Sequence, residues 1–237
     1  MLDNPDRKSV PEDFEFGALR EAYFYRRGII EEFSPFLKGQ VIEVGAGIGQ
    51  MTSLLAKQVG KENILGVEPD ARYAKSFREQ CPGIPLVEGT VVDLPPNTSC
   101  DAVVSINVME HIADHIEEMA RYRALLAARN GYLCLFTPAR PEIYAPIDKD
   151  FGHYRRYTKT SLRAALTAAG FRVRNLYYFN FPGYFAWLLN FRLLGSRSFN
   201  PRMIRLFDRL VFRASHALEY HVMRPPLGQS IVAIAQA

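Results

Sequence analysis

Residues 41–55 read VIEVGAGIGQMTSLL: an apolar run, then Gly45, Gly47 and Gly49, then a helical pattern. Glycines at such a junction permit a tight turn and let a ligand approach the main chain closely. A strand end facing a helix N-terminus forms a crevice rich in N–H donors. The same rhythm continues downstream. Strand-like runs at 40–44, 63–68, 84–89, 101–107 and 132–138 alternate with helical patterns at 51–59, 70–80 and 113–129. Strands separated by helices of this length predict βαβ units, a parallel sheet and right-handed crossovers.

The remaining segments extend this frame. Residues 1–15 read as a polar tail and 16–37 as one helix. Residues 139–157 read as a long loop, 158–170 as a helix capped by Thr158, and 171–179 as a strand. Residues 183–194 and 200–220 read as helices, and QSIVAIAQA at 229–237 as a last strand. The organisation expected is a tail with a cap helix over 1–37 and one α/β domain over 38–237. Residues 176–228 form its helical lid or substrate insertion.

The glycine spacing narrows the ligand. A dinucleotide fingerprint has G-x-G-x-x-G, but Gln50 holds its last position; a Walker A loop needs Gly-Lys-Ser/Thr, which is absent. Glu68 ends the second strand, where a carboxylate can accept both hydroxyls of a ribose. Asp93 follows the third strand and is placed to accept from an adenine amino group; its alternative is a turn cap before Leu94-Pro95.

VIEVGAGIGQMT, VEPD, VVDLP and DAVVSINVMEHI, in that order, resemble the motifs of class I S-adenosylmethionine-dependent methyltransferases. The resemblance covers roughly 38–237, since SIVAIAQA is similar to the terminal strand of that fold. It implies a Rossmann-like, seven-stranded mixed sheet of order 3-2-1-4-5-7-6 with helices on both faces and strand 7 antiparallel. By position it puts Glu43, Gly45, Ala46 and Gly47 around the methionine part of S-adenosylmethionine. It puts Glu68 on the ribose, Val92 and Asp93 beside the adenine, and Asn107, Val108 and Met109 below the sulfonium. Glu110 and His111 then shape the loop. YFYRRG resembles a helix that closes over the cofactor, with Arg27 on its carboxylate and Tyr23 beside it. The stretch 150–171, DFGHYRRYTKTSLRAALTAAGF, resembles a bacterial small-molecule subgroup of the same family.

On the acceptor side, His153, Tyr154, Arg155, Arg156 and Tyr157 follow strand 5. Histidine takes protons near neutral pH, and arginine grips carboxylates or phosphates. His153 is the candidate base or orienter and Tyr154 the candidate pocket wall. The alternative is that His153 and the arginines fasten the loop to Glu110 or Asp150. Methyl transfer from a sulfonium needs alignment and exclusion of water more than it needs a base. The aromatics of 177–187 suit a hydrophobic acceptor.

Residues 1–139 carry 14 Lys/Arg and 20 Asp/Glu, whereas 140–237 carry 15 and 5. In 202–213, Arg202, Arg205, Arg209 and Arg213 form one helical stripe, with Met203, Phe207, Leu210 and Val211 facing roughly away. The pattern suits an interfacial helix meeting anionic lipid or a lipid-linked acceptor, or else an ordinary surface helix. No nucleic-acid motif is present, and nucleic acid is not an expected partner. His111 and His115 sit four apart beside Asp114 and Glu118, but no distant third ligand is evident, so no metal is expected. Cys81, Cys100 and Cys134 are scattered without a CxxC pair, and the N-terminus lacks an apolar signal segment. Free thiols and a cytoplasmic location are expected.

The reading is a methyltransferase acting on an oxygen of a small hydrophobic or anionic metabolite. A nicotinamide-dependent oxidoreductase and a non-catalytic cofactor-binding scaffold are the alternatives.

Overall fold

The computed structural model describes residues 14–237; residues 1–13, most of the expected polar tail, lie outside the described residues. The strands are β1 (Val41–Val44), β2 (Ile64–Glu68), β3 (Leu86–Glu88), β4 (Ala102–Ile106), β5 (Tyr132–Pro138), β6 (Arg172–Phe179) and β7 (Ser230–Gln236). They form one sheet in the order β3-β2-β1-β4-β5-β7-β6. The first five pair in parallel, and β7 lies antiparallel between β5 and β6. All four residues of β1 are buried, as a strand covered on both faces requires.

The helices are α1 (Phe14–Glu21), α2 (Tyr23–Phe33), α3 (Thr52–Val59), α4 (Ala74–Gln80), α5 (His115–Ala127), α6 (Pro146–Asp150), α7 (Lys159–Ala168), α8 (Phe181–Trp187), α9 (Pro201–Leu206) and α10 (Arg213–His221). On one face, α5 and α7 bury Met119, Tyr122, Leu126, Leu162 and Leu166 against the sheet. On the other, α2, α3 and α4 bury Ile29, Phe33, Leu55 and Phe77. A third apolar cluster joins Ile147 and Phe151 around α6 to Trp187 and Phe191.

Several boundaries differ from the sequence reading. The single helix expected over 16–37 breaks at Ala22, which has no side chain able to cap α2. Asp208 supplies that cap from far along the chain, accepting from the N–H groups of Phe24 (2.9 Å) and Tyr25 (2.8 Å). The loop expected over 139–157 contains α6. Leu176–Phe179 belong to β6, so the helical insertion occupies 180–229.

Within the insertion, α8 continues as a π-helical turn at Leu188–Leu193, and another at Phe207–Phe212 joins α9 to α10. Met203 and Leu210, expected opposite the arginine stripe, are themselves more than 60% exposed. The inward edge is instead Asp208, Phe212, His216 and Glu219. Contacts with distant elements chose it: Asp208 caps α2, and Phe212 packs on Tyr25 and Phe179. Glu219 accepts from the N–H groups of Asn180 and Phe181 at the start of α8, both at 2.9 Å.

Candidate functional site

A cavity of about 2100 Å3 opens along the carboxyl ends of β1, β2, β4 and β5. Pockets for one drug-sized ligand run to about 1000 Å3, so this one has room for two molecules side by side. Its first half is mostly backbone. Gly45, Gly47 and Gly49 all have positive φ, as the turn after β1 demands. A Cβ on Gly45 would lie 2.3 Å from Val108 Cγ2, and one on Gly47 would lie 2.7 Å from the Phe16 ring. Side chains at these positions would fill the floor of the crevice.

Glu68 is anchored from both sides. Its Oε2 accepts from Gly47 N–H (2.8 Å) and its Oε1 from Asp70 N–H (2.9 Å). Burial pushes its carboxyl above the usual range, against the pull of those two donors. Glu43 lies deeper. Burial pushes it up to about 8, although it accepts from the Thr52 hydroxyl. Gln50 donates to Phe16 O (3.0 Å), while its buried Oε1 has no hydrogen-bond partner and belongs to a residue of the cavity wall.

Of the residues assigned to the cofactor by resemblance, Glu43, Gly45, Ala46, Gly47, Glu68, Asn107 and Val108 line this cavity. Five do not. Val92 is 64% exposed on the surface. Asp93 turns back on its own loop, where its carboxylate accepts from the N–H and hydroxyl of Thr90. This is the turn-cap alternative. Met109 is fully buried beneath the wall, in the core.

Tyr23 and Arg27 lie on the exposed face of α2, stacked on each other 5.8 Å apart, and line a small surface dimple or none. Tyr25 faces inward instead. It packs on Phe136, Phe179 and Phe212, and its hydroxyl lies 3.4 Å from Ser230 Oγ. The signal was present in the spacing: Tyr25, Ile29 and Phe33 recur every four residues, the period of a buried helical stripe. Phe16 and Leu19 of α1 also reach the cavity.

The other half of the cavity is built from side chains. His153 is 9% exposed, and its Nδ1 lies 2.9 Å from Asp148 Oδ1. Arg156 donates to the same Asp148 oxygen (2.9 Å) and to Ala139 O (3.1 Å), with its guanidinium 4.4 Å from the centre of the Trp187 ring. Burial alone would raise the Asp148 carboxyl, but His153 and Arg156 hold it below the usual range. Burial pushes the His153 imidazole down, against the opposing pull of Asp148. A neutral ring donating Nδ1–H to Asp148 keeps Nε2 as an acceptor.

Tyr154 sits at the rim, 46% exposed, its N–H donated to Glu110 O (2.8 Å). The arginines do fasten this loop. Arg156 takes Asp148, and Arg155 donates to Ile112 O and Ala113 O. Asp150 instead pairs with Arg197 of the insertion.

The structure also gathers Glu110, His111 and His153, with one ligand atom of each within 4.8 Å of the others. Sequence reading paired His111 with His115, but His115 turns away to the Tyr157 hydroxyl (2.9 Å). The available signal was topological: β4 and β5 are parallel neighbours, so the segments leaving their carboxyl ends meet.

A methyltransferase domain family matches residues 18–176. Among relatives, the chain is 26% identical over 98 residues to a trans-aconitate 2-methyltransferase of Acidovorax sp. (strain JS42), a match covering 41% of this chain and 38% of that one. An uncharacterised methyltransferase of Oceanobacillus iheyensis is 29% identical over 93 residues, covering 39% and 43%. These matches thus span well under half of the relatives' own length. Among solved structures, the fold is similar to that of an S-adenosylmethionine-dependent methyltransferase of Thermotoga maritima. Its TM-score is 0.63 at 18% identity, covering 95% of this chain and 96% of that one. A Mesorhizobium loti counterpart gives 0.59 at 16%, covering 88% and 95%. A glycine floor that admits no side chain, beside a carboxylate fixed at the end of β2, fits a nucleoside with a vicinal diol, and the chain belongs to the methyltransferase domain family, with S-adenosylmethionine as its cofactor.

Proposed function

We propose that the protein transfers the methyl group of S-adenosylmethionine to an oxygen of a small anionic or lipophilic acceptor. The observation that carries this reading is the continuity of one cavity from Gly45 and Glu68 to His153, Trp187 and Phe191. When bound, the cofactor supplies a methyl group on a sulfonium, already electrophilic. The chain's task is to hold the acceptor oxygen in line and keep water out. Glu68 receives the ribose hydroxyls. Asp148 fixes the His153 ring through Nδ1, so that Nε2 meets the acceptor, and Tyr154 lines its approach. Trp187, Phe191 and Phe199 give the acceptor end an apolar wall. The trans-aconitate 2-methyltransferases among the relatives are named for an anionic acceptor, which favours the same class here.

Calorimetry with S-adenosylmethionine, S-adenosylhomocysteine and NAD tests the cofactor. The two sulfur ligands are expected to bind and NAD not to; binding of NAD alone overturns the reading in favour of an oxidoreductase. Sulfur ligands that bind while no labelled methyl moves to any of a broad panel of acids and alcohols would favour the scaffold. His153→Ala is expected to lower turnover at least tenfold with cofactor affinity unchanged; unaltered turnover removes His153 from the acceptor.

The surface of the insertion supports a lipophilic source for the acceptor. Residues 180–229 carry seven arginines, and their only acids, Asp208 and Glu219, are buried. Leu189, Leu193, Leu194, Met203, Leu206 and Leu210 are exposed among those arginines. Among the described residues no helix is long and apolar enough to cross a membrane. Apolar side chains interspersed with arginine suit the surface of an anionic bilayer. Co-flotation with phosphatidylglycerol vesicles but not phosphatidylcholine vesicles is expected, and it should be lost in Arg202→Glu/Arg209→Glu. No flotation with either vesicle contradicts this part.

A further inference from the structure

We propose that Glu110, His111 and His153 form a binding site for a divalent first-row transition-metal cation at the acceptor end of the cavity. The inference rests on the reading of His153 as the group that meets the acceptor, and it specifies how His153 does so.

The three residues come from two separate segments. Glu110 and His111 follow β4; His153 follows β5 and α6, 42 residues beyond His111. All three line the cavity. Their ligand atoms lie within 4.8 Å of one another, and the two imidazole rings meet edge to face at 4.7 Å between centroids. Ligands about 2.1 Å from a shared ion stand roughly 3.0–3.5 Å apart. The widest separation would have to shorten by about 1.3–1.8 Å, a movement that falls chiefly to the half-buried His111.

The surroundings are those of a ligand set held in place. Metal-binding histidines commonly give their second nitrogen to a carboxylate, which fixes the ring. His153 does this with Asp148, whose side chain is fully buried and is itself held by Arg156. Glu110 is fully buried, and its Oε2 accepts from the Thr137 hydroxyl (3.1 Å) on β5. Its backbone carbonyl accepts from Tyr154 N–H, which ties the two ligand-bearing segments together.

The donor set selects the ion. Two imidazole nitrogens and one carboxylate suit zinc, manganese or ferrous iron, whereas magnesium and calcium prefer an all-oxygen shell. Three protein ligands leave coordination positions open to the cavity, the mark of a site that receives a substrate rather than one that only braces the fold. An acceptor oxygen placed there would be both positioned and polarised.

The test uses the full chain, stripped with a chelator and dialysed free of it. Calorimetric titration with zinc and with manganese is expected to show one ion per chain, bound at least tenfold more tightly than magnesium. His111→Gln and Glu110→Gln should each weaken binding at least tenfold, and Asp148→Asn by about 10–100-fold through the orientation of His153. The cobalt-loaded protein should show visible absorption bands that shift in His111→Gln. Melting curves establish that each variant is folded; should Glu110→Gln fail, the half-buried His111 carries the test. A wild-type chain that takes up neither ion, or variants that bind as wild type does, overturns the proposal. S-adenosylhomocysteine titrated into the same stripped sample separates the two readings. Nucleoside binding without metal binding sinks the metal site alone, whereas absence of nucleoside binding sinks the proposed function.

Discussion

At the ends of β1 and β2 the cavity wall is set by main-chain geometry: two glycines, Gly45 and Gly47, and the Glu68 carboxylate held by the N–H groups of Gly47 and Asp70. At its other end, between α6 and α8, the wall is mainly side chain: His153 on Asp148, Arg156 under Trp187, and Phe151, Phe191 and Phe199 around them. The first end is made by a run of residues close in sequence. The second is assembled from segments that meet only because β4 and β5 are neighbours and because the insertion folds back over them. A backbone site tolerates almost no change in its residues and little variety in its ligand. A side-chain site can be rebuilt for another acceptor on the same scaffold, and that is how one fold serves many substrates.

The sharpest way to break this contrast is at Gly45. Gly45→Ala forces a side chain into a positive-φ position and against Val108. Cofactor affinity should fall at least 100-fold, measured by calorimetry, while a side-chain change of similar size at the other end, Phe199→Leu, should leave it within about threefold. Equal losses would erase the distinction.

Glu68→Gln comes next. It keeps the shape but removes the charge that strengthens hydrogen bonds from a ribose, worth roughly 1.5–3 kcal/mol in total, so affinity should drop about 10–100-fold. Gln has only one acceptor oxygen, so one of the two N–H donors from Gly47 and Asp70 also loses its partner. An unchanged affinity would place the nucleoside elsewhere.

These two sites show why the chain revealed its cofactor end more readily than its acceptor end. The strand-to-glycine junction and Glu68 are local patterns, and local geometry carries them. The same local reading points to Val92 and Asp93, which stand outside the cavity wall, with one Asp93 oxygen accepting from Thr90 of its own loop. It chose Tyr23 and Arg27 from the letters of α2, although the four-residue spacing of Tyr25, Ile29 and Phe33 marks the buried stripe. At the acceptor end, His153 stands out by its chemistry. Asp148 does not, because it lies in 139–157, where the sequence shows only a loop, and the partner nearest His111 in the sequence is His115 on its own segment. The sheet order already implied by the motifs would have brought His111 to His153. The insertion resisted reading most, since its buried stripe, Asp208, Phe212, His216 and Glu219, is mostly polar and takes its inward direction from contacts with α2 and α8.

Asp208 tests how far those distant contacts hold the cavity's roof. Asp208→Ala leaves two N–H groups at the start of α2 without their partner, a loss of about 2 kcal/mol, or a fall in Tm of about 4–8 °C. Cofactor affinity should change less than in the Gly45 variant. A Tm within a degree of wild type would mean that α2 is held by its apolar face alone.

The smallest effect concerns Glu43. Its folded-state value of about 8 lies above the ordinary 4.5, so the folded chain retains a proton that the unfolded chain gives up. That contribution to stability is whole below about pH 4.5 and is lost as pH rises toward 8. Glu43→Gln has nothing to titrate there and can still accept from Thr52. Its Tm should lie nearest that of wild type near pH 5 and exceed it increasingly toward pH 8. A pH-independent difference would mean that Glu43 is ionised throughout.

The division of the cavity is tested most directly by a crystal structure of the complex with S-adenosylhomocysteine. The ribose hydroxyls should lie on the Glu68 carboxylate and the amino-acid portion over Gly45 and Gly47, with the sulfur facing His153 across open space. A ligand seated away from Glu68, or a sulfur walled off from His153 by side chains, would contradict the account.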